Sequence, residues 1–149
     1  MKINFPPDFR EFVGLLEKNE VAYMIVGGYA VGYHGYPRFT GDLDIWLKVS
    51  EENAKKIVAA INQFGMSSLG LTESDFLIHD NIIQIGYPPL RIDILSDIDG
   101  VSFDDCYENK IRADHEGFVY NIISYDDLIR NKKASNRSKD KGDIENLEQ

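Results

Sequence analysis

Two aspartates, Asp42 and Asp44, stand at the start of a segment in which apolar and polar residues alternate, Leu43 to Val49. The alternation predicts a β-strand, and every second side chain of a strand leaves the same face. The two carboxylates would therefore lie side by side, where they repel each other and raise each other's pKa. A cation between them relieves this repulsion, and hard oxygen ligands of this kind predict Mg²⁺ or Mn²⁺.

A third acid, Asp93, lies in the middle of the segment LRIDIL, from Leu90 to Leu95. Ile92 and Ile94 would face one side of a strand there, and Asp93 the other. A carboxylate in such an apolar stretch needs a partner or a metal. We therefore expect the carboxyl groups of Asp42, Asp44 and Asp93 to surround one point and share a metal.

A pair of glycines, Gly27 and Gly28, follows the short apolar strand predicted from Ala22 to Val26 and precedes a short predicted helix. Glycine lets the backbone approach a ligand closely and adopt a positive φ. The start of a helix also offers free N–H groups. This combination predicts a phosphate site that would present triphosphate oxygens to the metal.

Four further residues are candidate nucleotide contacts. Arg38 could bind a phosphate through its planar fork or pair with the acids, and Thr40 could brace a carboxylate or cap its loop. Lys132 and Lys139 lie in the segment Arg130 to Lys141, which has six basic residues in a chain of net charge −9. That segment is either an anion site or a solvated helix end, and the sequence leaves both open.

The composition is that of a globular protein. The chain has 149 residues, of which 43% are hydrophobic and spread along its length, so we expect one domain over residues 1–149. The net negative charge argues against general nucleic-acid binding. There is no apolar run long enough to span a bilayer, and the single cysteine, Cys106, forms no internal disulfide. A soluble, cytoplasmic protein with no membrane partner is the resulting expectation.

The elements that must position the acids follow from periodicity and capping. Pro7 and Ser50 mark helix starts, and Ser124 with Asp127 resembles a capping box. The turn after Ile85 predicts that the strands Ile82–Ile85 and Leu90–Leu95 pair as a hairpin. The predicted fold class is α+β, a mixed β-sheet with helices packed on it.

The motifs taken together resemble a known superfamily. Gly-Gly, thirteen residues, D-x-D and then a lone Asp on a later strand are similar to the nucleotidyltransferases related to DNA polymerase β. The strings GGYAVGYHGYPRFTGDLDI and LIRNKKASNRSKDKGDIENL resemble most the small bacterial branch with the AbiE-type and MNT-type toxin–antitoxin proteins. The resemblance covers about Val21 to Leu147 and implies a minimal nucleotidyltransferase fold.

The resemblance also implies roles for individual residues. Gly27 and Gly28 would hold the β- and γ-phosphates of a nucleoside triphosphate, and Asp42 and Asp44 would bind both metals. Asp93 would bind the metal nearest the acceptor hydroxyl and could serve as its base. The reaction would be in-line attack on the α-phosphorus with release of pyrophosphate.

Two functions remain open at this stage. Larger members of the superfamily have an added helical domain that selects the acceptor, whereas only two short helices follow the predicted sheet here. The chain would either transfer a nucleotide to a small molecule, an RNA end or a protein, or act as a non-catalytic binding module that pairs with a cognate protein partner. Three mutually repelling acids favour the enzyme.

Overall fold

The computed structural model describes residues 3–36, 40–87 and 89–148. Its strands are β1 (Tyr23–Val26), β2 (Asp42–Leu47), β3 (Ile82–Tyr87), β4 (Leu90–Leu95), β5 (Ile111–His115) and β6 (Phe118–Ile122). Its helices are α1 (Pro7–Lys18), α2 (Gly27–Tyr33), α3 (Glu51–Gln63), α4 (Phe103–Glu108), α5 (Tyr125–Ser135) and α6 (Ser138–Leu147). Short 3₁₀ turns span Ser67–Leu69 and Glu73–Phe76.

Over the described residues the strands form a mixed six-stranded sheet in the order β3-β4-β2-β1-β6-β5. β2 and β4 are parallel neighbours near its centre, and β1 pairs with β2 in the antiparallel sense. β3 and β4 form the predicted hairpin, and a second hairpin joins β5 to β6. The α+β fold with a mixed sheet is therefore confirmed.

The helices bury the faces that their periodicity predicts. The face of α1 that packs inward consists of Phe9, Phe12, Val13 and Leu16. At the start of α3, the Ser50 hydroxyl accepts a hydrogen bond from the backbone N–H of Asn53 at 3.1 Å. Buried side chains from the sheet and helices form one apolar cluster. None of the described helices combines the length and apolar character needed to cross a membrane.

The sequence pattern does not predict α4 and β5. Their sequences, FDDCYE and IRADH, have little apolar periodicity, and each buries one side chain deeply, Cys106 and Ala113. β5 forms because its backbone pairs with β6 from Ile111↔Ile122 to His115↔Phe118. Such an element depends on its neighbour more than on its own propensity.

Candidate active site

The register of the central strands places the three acids on one face of the sheet. Asp44 on β2 lies directly beside Asp93 on β4, and Asp42 lies beside Arg91. Residues that are neighbours across two strands share a face, and so do residues two apart along a strand. Asp42, Asp44, Asp93 and Arg91 therefore form one polar patch on that face.

This patch is the floor of an open cleft with a volume of about 420 Å³. One wall is the turn between β1 and α2, with Gly27 and Gly28. The loop after β4 and the helices α5 and α6 also contribute to its lining. The polar residues that these elements contribute to the cleft are Asp97, Asp99, Asn131, Lys132, Ser135, Arg137 and Lys139.

The glycine turn lies directly against one of the acids, Asp44. Gly27 has φ +68°, and a Cβ there would lie 2.0 Å from Oδ2 of Asp44. A Cβ on Gly28 would lie 2.8 Å from Oγ1 of Thr40. Because neither position has room for a side chain, the backbone of this turn lies against the carboxylate of Asp44, at the edge of the cleft.

The surroundings of Asp44 change the pKa of its carboxyl group. Burial, and then repulsion from Asp93 and Asp42, raises the pKa of its carboxyl to about 7. Lys139 and Lys132 oppose this shift and lower the pKa. Among the described residues, no hydrogen bond or ion pair reaches the carboxylate of Asp44. The metal-free protein therefore holds this acid largely protonated below neutral pH.

The other two acids share an arginine. Arg91 donates from Nε to Oδ1 of Asp93 at 2.7 Å and from Nη2 to Oδ2 of the same carboxylate at 3.0 Å. Its Nη2 also donates to Oδ2 of Asp42 at 3.1 Å. The hydrogen bond with Asp93 and the nearby carboxylates raise the pKa of Arg91, which keeps the guanidinium charged.

The shared metal point expected from the sequence is not formed by these side chains. Within residues 3–36, 40–87 and 89–148, no three His, Cys, Asp or Glu side chains are arranged to hold a metal ion. The guanidinium of Arg91 bridges Asp42 and Asp93 instead. The donor set nevertheless fits a divalent cation, because three carboxylates share one strand face and two of them already hold a cationic group, and carboxylates suit Mg²⁺ or Mn²⁺.

The two candidate lysines of the basic segment, Lys132 and Lys139, lie in different environments. The ammonium of Lys132 is almost fully buried and forms ion pairs with Asp140 at 3.0 Å and Asp143 at 3.1 Å. Burial alone would raise the pKa of Asp140, but hydrogen bonds from Arg137, Ser135 and Lys132 hold it well below its ordinary value. This ion cluster joins α5 to α6 and places Lys132 at the back of the cleft.

Lys139 is exposed and lines the cleft, where its charge acts on Asp44. Thr40 donates from its hydroxyl to the backbone carbonyl of Asp42 at 3.2 Å, which is the loop contact rather than a brace on a carboxylate. Arg38, the remaining candidate, lies outside the described residues. The structure thus brings Lys132 and Lys139 to the same cleft as the acids and glycines, and their roles there stay predictions.

Among the described residues that line the cleft, sequence reasoning missed several, and the two arginines, Arg91 and Arg137, bear most on the site. The signal for Arg91 was present, because it precedes Asp93 by two positions and must share its face of β4. Arg137 had no such signal. It reaches the cleft only because α6 folds back on α5, where its Nε donates to Asp140 at 2.7 Å.

Comparisons with known proteins identify the fold. No family model matches the sequence, and no curated protein matches it significantly. The lincosamide antibiotic adenylyltransferase LnuA, solved with bound lincomycin, aligns over 99% of this chain and 98% of its own, at 15% identity and a TM-score of 0.57. A Thermotoga maritima protein assigned as a nucleotidyltransferase, TM1012, aligns over 94% of this chain and 86% of its own, at 17% identity and a TM-score of 0.58.

At these identities the likeness concerns the fold. Both structures align over almost the whole chain, so the minimal nucleotidyltransferase fold expected from the sequence is confirmed. Neither is described as a toxin–antitoxin protein. The narrower resemblance to the AbiE and MNT branch is not shown by them.

The contact between Gly27 and Asp44 predicts the effect of adding a methyl group. Gly27→Ala should lower the free energy of unfolding by about 1–3 kcal/mol, because the new Cβ meets the carboxylate and the backbone has a positive φ. Gly32→Ala in the same helix is the control. It has open space around it and should be neutral or stabilising by about 0.5–1 kcal/mol. Equal denaturant midpoints for the two variants would contradict the close approach.

The raised pKa of Asp44 predicts a pH-dependent gain from Asp44→Asn in EDTA. Between its ordinary value and about 7, the unfolded state loses the proton while the folded state keeps it, so wild-type stability falls as pH rises. Asp44→Asn has no carboxyl group at this position, so its stability does not fall with pH for this reason. Its advantage should be small at pH 4 and reach about 1–4 kcal/mol at pH 8.

Thermal or urea melts across this pH range measure the difference. Glu145→Gln, the same charge change at an exposed site on α6, should show no such growing advantage. If Asp44→Asn melted lower than the wild type at every pH, Asp44 would be a structural acid with a stabilising partner.

Proposed function

We propose that the chain uses its nucleotidyltransferase fold to move a nucleoside monophosphate from a nucleoside triphosphate to an acceptor hydroxyl, with release of pyrophosphate. One observation supports this proposal above the others. Three carboxylates on one strand face, a glycine turn without room for side chains and an exposed lysine all line the same cleft. Together they offer acidic ligands for metal and cationic and backbone groups for phosphate.

In this proposal the residues divide the work as the resemblance implies. Asp42 and Asp44 would hold divalent metal, Mg²⁺ or Mn²⁺, with Asp93 on the side of the acceptor. When bound, the metal would supply positive charge that stabilises the transition state. The acceptor oxygen forms a bond to the α-phosphorus as the bond to the pyrophosphate oxygen breaks, and the hydroxyl proton passes to Asp93.

In this proposal the phosphates are positioned by the glycine turn and by two lysines, Lys139 and Lys132. α2 has only seven residues, so we assign the β- and γ-phosphates to the close approach of Gly27 and Gly28 rather than to a long helix dipole. Lys139 can reach a bound phosphate without breaking an ion pair in the described residues. Lys132 acts differently, since its ammonium is committed to Asp140 and Asp143 and would contribute as a fixed positive charge.

The acceptor is proposed by class. A small hydroxylated molecule is the first candidate, because LnuA is an adenylyltransferase with bound lincomycin and nearly all of its chain aligns with this one. RNA ends and protein side chains remain the other acceptor classes.

The finer branch assignment is also a proposal. The Gly-Gly turn, the D-x-D pair and the basic tail with K-D-x-x-D support a relationship to the AbiE-type and MNT-type proteins. In that case a partner protein would supply or regulate the acceptor site. A binding module without catalysis is the corresponding alternative function.

A transfer assay tests the function. The protein is incubated with each α-labelled nucleoside triphosphate, Mg²⁺ or Mn²⁺, and either a small-molecule panel or fractionated lysate. We expect label on an acceptor and equimolar pyrophosphate, both lost in Asp44→Asn and in EDTA, and retained in Glu145→Gln. Metal-dependent nucleotide binding without transfer in any fraction would favour the binding module.

Lys139 provides a separate prediction on triphosphate binding. Lys139→Ala should weaken binding of a triphosphate with Mg²⁺ by roughly 1–2 kcal/mol, or about tenfold, through loss of a charge-assisted hydrogen bond. Lys141→Ala, which removes an exposed charge that does not line the cleft, is the control and should have little effect. Isothermal titration calorimetry measures both. Equal affinities of the wild type and Lys139→Ala would show that Lys139 is a solvated surface residue without a role in triphosphate binding.

A further inference from the structure

We propose that Arg91 is a positioning residue that takes the place of the divalent cation between Asp42 and Asp93 in the metal-free protein, so that metal enters effectively only together with a triphosphate. The inference rests on the metal-dependent function proposed above. It adds a residue that the motif does not contain and a reason for the order in which metal and nucleotide bind.

The contacts of Arg91 are those of a substitute cation. Its fork occupies both oxygens of Asp93, at 2.7 and 3.0 Å, and one oxygen of Asp42, at 3.1 Å. The side chain of Asp93 is only 11% exposed and that of Arg91 26%, so the pair is shielded from water on several sides. A bidentate guanidinium–carboxylate pair is among the stronger polar contacts in proteins.

The repulsion between two of the acids is thereby partly offset without metal. Arg91 provides one positive charge that Asp42 and Asp93 share. A divalent cation that binds the same oxygens would lie close to the guanidinium and be repelled by it. Metal binding therefore requires Arg91 to release at least part of its hold on Asp93.

A purely structural ion pair is the competing interpretation. The hairpin that contains Arg91 is already held by backbone pairing from Ile82↔Leu95 to Tyr87↔Leu90. Leu95, Ile94 and Ile92 also anchor β4 in the core or against it. The fork is therefore not needed to keep β4 in register, whereas it is the group that bridges the two acids.

Triphosphate changes the balance because it is itself an anion. When metal displaces the guanidinium from Asp93, the positive charge of Arg91 loses its bidentate carboxylate partner, which is costly. Phosphate oxygens in the same cleft provide a new anionic partner for it and also complete the metal's ligand shell. Metal and triphosphate should therefore bind with positive coupling, and Arg91 should be one source of it.

Calorimetric titration with Mn²⁺ alone tests this exchange. Arg91→Met should bind Mn²⁺ about tenfold more tightly than the wild type, because a like charge at close range has been removed. The factor by which a non-hydrolysable ATP analogue tightens Mn²⁺ binding should shrink in the same variant. Arg112→Met is the matched control, since Arg112 forms a similar fork with Glu17 at the far edge of the sheet, and its Mn²⁺ binding should not change.

The wild-type protein provides a second readout that does not depend on a variant's folding. In a ¹⁵N spectrum of arginine side chains, the Nε–H signal that is absent from Arg91→Lys belongs to Arg91. It should be observable in EDTA, where it donates to Asp93, and should shift when Mg²⁺ and the ATP analogue are added together. Mg²⁺ alone should shift it much less.

The outcomes separate the two proposals. Unchanged or weaker Mn²⁺ binding by folded Arg91→Met, or an Nε–H signal indifferent to Mg²⁺ with the analogue, overturns the role of Arg91 while the transferase function can stand. No Mn²⁺ binding by the wild type, with or without the analogue, overturns both. Tighter Mn²⁺ binding by Arg91→Met, together with a smaller effect of the analogue on that binding, supports the role of Arg91, and transfer by the wild type supports the function.

Discussion

Repulsion between carboxylates on one strand face is the constraint on which the rest of this cleft depends. The parallel pairing of β2 with β4 brings Asp42, Asp44 and Asp93 together. Because backbone hydrogen bonds fix this pairing, the carboxylates cannot move apart to reduce their repulsion. The metal-free protein offsets the repulsion with the guanidinium of Arg91 and a proton on Asp44. A site of this kind gives up stability that a cation would restore.

The glycine turn is the second consequence of the same arrangement. β1 pairs with β2 so that Val26 lies opposite Asp44, and the chain must then turn into α2 directly over the carboxylate. Only a residue without a side chain fits at Gly27. The same contact helps to bury Asp44, and burial is the largest cause of its raised pKa. The close approach of the glycine turn therefore also contributes to the raised pKa.

The lysines of the cleft come from the helices α5 and α6 and not from the sheet that carries the acids. α5 and α6 are held together by the buried ammonium of Lys132 between Asp140 and Asp143, with Arg137 on the outer side of Asp140. A buried pair of this kind is weak support for stability by itself but strongly destabilising when one partner is removed. It therefore fixes the position of α6, and with it the exposed Lys139, relative to the acids on the sheet.

The sequence alone was sufficient to predict α1, the β3–β4 hairpin, the cap at Ser50 and the common face of Asp42 and Asp44, because these depend on local periodicity and hydrogen bonding. Tertiary structure decided the rest. Only the pairing of β2 with β4 brings Arg91 between two acids, and only the packing of α6 on α5 separates buried Lys132 from exposed Lys139. Two lysines in one basic segment look alike in sequence, and their environments differ because the packing of α6 on α5 brings Asp140 and Asp143 to Lys132 and leaves Lys139 exposed.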